Sequence, residues 1–141
     1  MASTSISISI MIFIFLLSPH LFVEIEAKIL GKHELNIYCE VPANSSSVIA
    51  HCGSKDDDFG SRELYPSEYF GWRFRTNLIR STLYFCHFWW GSKNKSLVVF
   101  QGDWDSDYYY MYSYVINKYG VYLSNDRNNH SANLGLVSTW D

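Results

Sequence analysis

Apolar and polar residues alternate with a period of two through most of the chain after Lys28. Leu35, Ile37 and Cys39 are interleaved with Asn36, Tyr38 and Glu40. That is the signature of a half-buried strand, because successive side chains of an extended backbone point to opposite faces. The segments Ser47–Cys52, Arg62–Leu64, Tyr69–Arg75, Thr82–Trp90, Ser96–Gln101, Tyr108–Ile116 and Tyr119–Leu123 also read as strands. Turn formers separate them: Pro42–Ser47, Gly53-Ser54 with Asp56–Asp58, Tyr65-Pro66, Gly91–Asn94 and Asn117-Lys118. About eight short strands with regular turn signals predict an all-β domain, a small two-sheet antiparallel β-sandwich. No window has helical periodicity. Residues 125–141 are polar and weakly patterned, which predicts a C-terminal tail outside a domain of residues 28–124.

The N-terminus breaks the pattern. Ile6 to Leu17 is apolar with two serines and stops at Ser18-Pro19-His20. A run this short falls below the roughly 20 residues that span a bilayer and suits the core of a secretory signal. Cleavage is expected after Ala27, so residues 1–27 form a signal peptide and no stable membrane insertion follows. Its removal takes away Glu24 and Glu26 and no basic residue, moving the formal charge from −3 to −1. A nearly neutral domain has no electrostatic case for nucleic acid. Behind a signal, the sequons at Asn44, Asn94 and Asn129 become glycosylation candidates, each expected on an exposed loop.

Secretion also changes the meaning of Cys39, Cys52 and Cys86. In an oxidising compartment thiols pair, and an odd count leaves one over. None of the spacings is CxxC and no Cys/His cluster has zinc spacing, so no structural metal and no cofactor are expected. Aromatic residues make up 18% of the chain, and large rings fill a small core efficiently. Trp72, Phe74, Phe85, Phe88 and Trp90 are assigned to that core. Tyr108, Tyr109, Tyr110, Tyr112 and Tyr114 are too closely spaced to face one way, so about half are expected to be exposed, either as a recognition surface or as a tyrosine-rich edge strand with no partner.

Chemistry is sparse. His51, His87 and the aspartates offer general bases and carboxylates for a secreted hydrolase or nuclease. Against that, consecutive aspartates in a turn diverge, and His51 and Cys52 point to opposite faces. A dyad of Cys86 with His51 has no sequence context to support it. Asp103, Asp105 and Asp107 alternate without the glycine-hinged loop or closing Glu of a calcium site. The reading is therefore a non-enzymatic binding module whose loops Ser54–Ser61, Gly91–Lys95 and Gly102–Asp107 are candidate contact surfaces.

Two segments carry a resemblance. His51-Cys52, Ser54-Lys55-Asp56-Asp57-Asp58 and Gly60 are followed by Trp72-x-Phe74, Asn77 and Thr82-Leu83-Tyr84-Phe85-Cys86-x-Phe88, then Gly120-Val121-Tyr122-Leu123. Together these residues resemble the plant self-incompatibility protein family, the S-protein homologues, over about Glu34 to Leu123. The resemblance implies a β-sandwich and a secreted signalling protein. It would be a monomeric ligand of a cell-surface receptor protein in cell–cell communication or pollen–pistil recognition. The candidate recognition loop is Ser54, Lys55, Asp56, Asp57 and Asp58. Family members usually carry two further cysteines before the last glycine-led strand, where this chain has Tyr108 to Tyr114. Cys52 then pairs with Cys86, which is the first choice, or one of them pairs with Cys39, or they stay as buried thiols.

Overall fold

The computed structural model describes residues 32–76, 81–104, 111–126 and 128–141; the predicted signal segment lies outside them. Along the chain run β1 (Lys32–Cys39), β2 (Val48–Gly53), β3 (Asp58–Leu64), β4 (Tyr69–Arg75) and β5 (Leu83–Trp90). They are followed by β6 (Lys93–Gln101), β7 (Met111–Asn117), β8 (Gly120–Ser124) and β9 (Leu134–Thr139). A short 3-10 turn at Gly102–Trp104 is the one helical element among the described residues. The strands form a five-stranded sheet, β4-β1-β7-β8-β9, and a four-stranded sheet, β3-β2-β5-β6. The all-β two-sheet expectation holds. All pairs are antiparallel except β1–β7, which is parallel and aligns Glu34 with Met111 and Cys39 with Ile116.

Alternation builds the core. His33, Leu35, Ile37 and Cys39 of β1 are buried, as are Val48, Ala50 and Cys52 of β2 and Tyr84, Cys86 and Phe88 of β5. Fully burying one such large apolar side chain contributes about 1.5–3 kcal/mol. Aromatic rings join the sheets at one end of the sandwich. Phe59 of β3 meets Trp72 of β4 at 4.8 Å between ring centres, and Phe74 meets Tyr84 at 4.6 Å and Phe100 at 4.8 Å. Farther along, the buried Tyr114 hydroxyl donates to the Val99 carbonyl at 2.6 Å. Val99 is the extra residue of a bulge, since Phe85 pairs with Val98 and Tyr84 with Phe100. A hydroxyl from the opposite sheet thus satisfies a carbonyl at an irregular point of the β5–β6 ladder.

Three expectations are corrected. Residues 125–141 are no unpatterned tail, because β9 pairs with β8 along its length. Trp140 then packs against Trp90 at 5.9 Å and donates Nε1–H to the Asn117 carbonyl at 2.9 Å. The alternation of Leu134 to Thr139 is weak because both faces of this edge strand are largely open. Gly120 lets it approach: a Cβ there would lie 2.1 Å from the Ser138 carbonyl oxygen, and its φ of 147° is one that glycine alone adopts readily. Secondly, Tyr112 and Tyr114 are both buried on the same face of β7 and so contribute nothing to an exposed surface; Tyr108–Tyr110 lie outside the described residues. Thirdly, Phe85 is not core but 45% exposed.

Trp140→Ala should lower unfolding free energy by about 2 kcal/mol through lost ring burial and a lost hydrogen bond. Urea unfolding of the variant checks this; an unchanged midpoint would mean that the terminal segment contributes nothing.

Candidate functional site

The segment Cys52 to Gly60 turns β2 into β3 at one end of the four-stranded sheet. Its backbone is closed by its own bonds. The Ser54 amide donates to the Asp57 carbonyl at 2.7 Å, and the Asp57 amide donates to Ser54 Oγ at 3.1 Å. Asp58 Oδ1 then accepts the Gly60 amide at 2.9 Å and contacts His51 Nε2 at 2.6 Å. Phe59 and Gly60 stand in the β3 strand where β2 has Cys52, so the pair is bulged. Gly60 holds a φ of 71°, the left-handed conformation such a bulge demands, while Phe59 turns inward onto Trp72. Most of the segment therefore shapes the turn. Lys55, Asp56 and Asp57 are exposed, and the first two have neither a turn-closing bond nor a packing role.

The Gly60 amide, and secondarily the His51 contact, hold the Asp58 carboxyl below the usual carboxylate range. Burial, helped by the Asp57 charge, pushes the Tyr84 hydroxyl up. Burial does the same to the Cys39 thiol, whose sulfur lies 3.6 Å from the Leu64 carbonyl oxygen.

Cys52 and Cys86 face each other across β2 and β5 with Cα atoms 4.1 Å apart and are joined by a disulfide; Cys39 remains a buried free thiol. With Cys86 oxidised, a Cys86–His51 dyad has no nucleophile. The neighbouring cross-strand pair, His51 opposite His87, lies on the other, outward face of the same sheet. The two imidazoles turn apart: His51 engages Asp58, while His87 Nε2 contacts Asn94 Oδ1 at 3.1 Å. No cluster of three His, Cys, Asp or Glu residues suited to a metal occurs among the described residues. Of the alternating aspartates, Asp103 is in the short 3-10 turn, and Asp105 and Asp107 lie outside the described residues.

The sequons differ in setting. Asn44 is exposed in the β1–β2 connection, and Asn129 is exposed in the β8–β9 connection with its Oδ1 accepting the Ser131 amide. Asn94, expected on a loop, instead sits half-buried on β6 directly across from Trp89. The outward face of this sheet also carries Leu83, Phe85, Trp89 and Val98, between 36% and 45% exposed. Sequence reasoning missed this apolar face. Its signal was present: Phe85 and Phe88 are three apart on one strand, so they must face opposite ways.

Two predictions follow from these contacts. The double variant Cys52→Ala/Cys86→Ala should lose about 3–4 kcal/mol of stability on the chain-entropy account of a loop this long, measured by denaturant unfolding beside the wild type. NMR titration of Asp58 should show its pKa rising partway toward the ordinary value in His51→Ala, the Gly60 amide retaining the rest. Because the folded-state pKa is depressed, the pair stabilises above the ordinary carboxylate pKa and fades as pH falls through the depressed one.

A family model described as Plant self-incompatibility protein S1 matches residues 34–140. S-protein homolog 3 of Arabidopsis thaliana is 38% identical over 55 residues, covering 39% of this chain and 37% of the relative. S-protein homolog 29 of the same plant is 31% identical over 83 residues, covering 59% and 62%. The chain thus spans less than two thirds of these relatives' length. A solved structure described as an SPH (Self-Incompatibility Protein Homologue) protein, of "a widespread family of small, highly stable, secreted proteins from plants", superposes with a TM-score of 0.61. It is 14% identical, and the alignment covers 79% of this chain and 96% of that one.

Proposed function

Because the chain belongs to the plant self-incompatibility protein S1 family, we propose that it is a secreted, non-enzymatic recognition protein that binds a cell-surface receptor protein. Secretion is supported by the apolar run Ile6 to Leu17 ahead of the expected cleavage after Ala27, and by the description of the solved relative as secreted. The observation that carries the binding role is the Ser54–Asp58 turn. Its backbone is fixed by internal hydrogen bonds while Lys55, Asp56 and Asp57 project into solvent. A turn already ordered before contact gives up little conformational freedom on binding, and charges held outward steer and select a partner of complementary charge. The protein acts as a monomeric ligand in cell–cell communication, of which pollen–pistil recognition is one setting.

One contact favours a second reading. His51 set against Asp58 at 2.6 Å is an oriented imidazole, the arrangement of a general base in a hydrolase or nuclease. It is outweighed because Asp58 is also bound to the Gly60 amide and His87 is turned toward Asn94, leaving no second group aimed at one substrate atom.

The test is binding of the mature domain to plant plasma membranes, beside a Lys55→Ala/Asp56→Ala variant. Neither side chain has a packing role, so the variant should keep its melting temperature and lose at least about tenfold in affinity, near 1.4 kcal/mol. Unchanged affinity would remove the turn from the interface. Turnover of RNA or glycan that disappears in His51→Ala would favour the enzyme instead.

A further inference from the structure

The outward face of the four-stranded sheet presents large apolar side chains that the fold leaves open. Trp89 is 36% exposed, Phe85 45%, Leu83 38% and Val98 37%, all on β5 and β6. His87 lies flat against Trp89, with ring centres 3.8 Å apart and planes 8° from parallel, so the two rings form one block. Asn94 stands directly opposite Trp89 in the β5–β6 ladder, and Asn94-Lys95-Ser96 is a sequon. Side chains directly opposite in an antiparallel pair have Cβ atoms about 5 Å apart. Any group attached to Asn94 therefore begins within contact distance of Trp89.

We propose that Asn94 carries an N-linked glycan and that its first N-acetylglucosamine packs on Trp89, covering the apolar face between β5 and β6. The occupant suits the surface. A pyranose offers an apolar C–H face to an aromatic ring while its hydroxyls stay in water, so a ring left open by the fold gains cover without a second protein. The amide is also suitably disposed: its Oδ1 is the atom in contact with His87 Nε2, which leaves Nδ2, the atom that bears the sugar. In the transfer, Nδ2 bonds to C1 of the sugar on a dolichyl-diphosphate oligosaccharide. The C1–O bond to the diphosphate breaks, the dolichyl diphosphate departs, and Nδ2 gives up one proton. The donor acts on the chain as it enters the secretory pathway, before β6 forms, so the half-buried position of Asn94 in the fold is no obstacle. Asn44 and Asn129 lie in strand connections and have no aromatic residue paired across a ladder from them.

This inference rests on secretion, and the experiment separates the two. Glycopeptide mapping of the full chain expressed in and secreted by plant cells should find hexosamine on Asn94. A bare Asn94 on protein whose signal has been removed overturns the site and leaves secretion standing, whereas an intact Met1 with no glycan on any sequon overturns both. Bare protein that elutes as a dimer would assign the face to a second copy of the chain. The seat on Trp89 is read from thermal unfolding of Ser96→Ala, which destroys the sequon but keeps Asn94 and its contact with His87. Ser96→Ala should lower Tm by about 3 °C in the wild-type background, the scale on which a modest contact registers in a domain this size, and leave it unchanged in Trp89→Ser. Equal falls in both backgrounds would overturn the packing.

Discussion

The rest of the structure hangs on the register between β2 and β5, and the Cys52–Cys86 bond holds it. Both cysteines are inward, so their neighbours His51 and His87 must be outward and opposite one another. A slip of one residue would exchange the faces of the whole strand, burying His51 and exposing Ala50 and Cys52. Because Gly53 and the Ser54 turn follow directly on Cys52, the same bond also places the end of β2 from which the acidic turn departs. Core, outward face and turn are thus three consequences of one pairing.

Much of the fold was legible because its strands obey a simple period. β1, β2 and β4 alternate cleanly, and their expected spans differ from those observed by a few residues. Legibility failed where both faces of a strand are alike. In β7, Ser113 and Val115 are buried on one face and Tyr112 and Tyr114 on the other, since the strand is central to the larger sheet. A central strand has no polar face to announce its orientation. The opposite failure hid β9, whose side chains are mostly open and whose placement depends on Gly120, Trp140 and a ladder with β8. Those are long-range facts, invisible to a local window.

The candidate site was legible in position but not in meaning. Ser54 to Asp58 did form the turn, yet Ser54, Asp57 and Asp58 are engaged in closing it, which only backbone geometry could reveal. Phe85, Phe88 and Trp90 of β5 all suit a core by residue type, yet Cys86 and Phe88 mark the inner face and Phe85 belongs with Trp89 to the outer one. Strand position for Asn94 followed from the tight turn at Gly91-Ser92, which starts β6 earlier than the polar residues Lys93 to Lys95 suggest.

The parallel alignment of β1 with β7 also sets the order in which the chain can assemble. β2–β3, β5–β6, β7–β8 and β8–β9 join neighbouring segments and close short loops. The first strand, by contrast, sits between β4 and β7, and most of the domain lies between β1 and β7 in the chain. The entropy of closing that long loop must be overcome before its contacts contribute. Closing the β1–β7 ladder is therefore the nonlocal step of assembly, the kind of pairing that slows folding relative to the hairpins on either side of it.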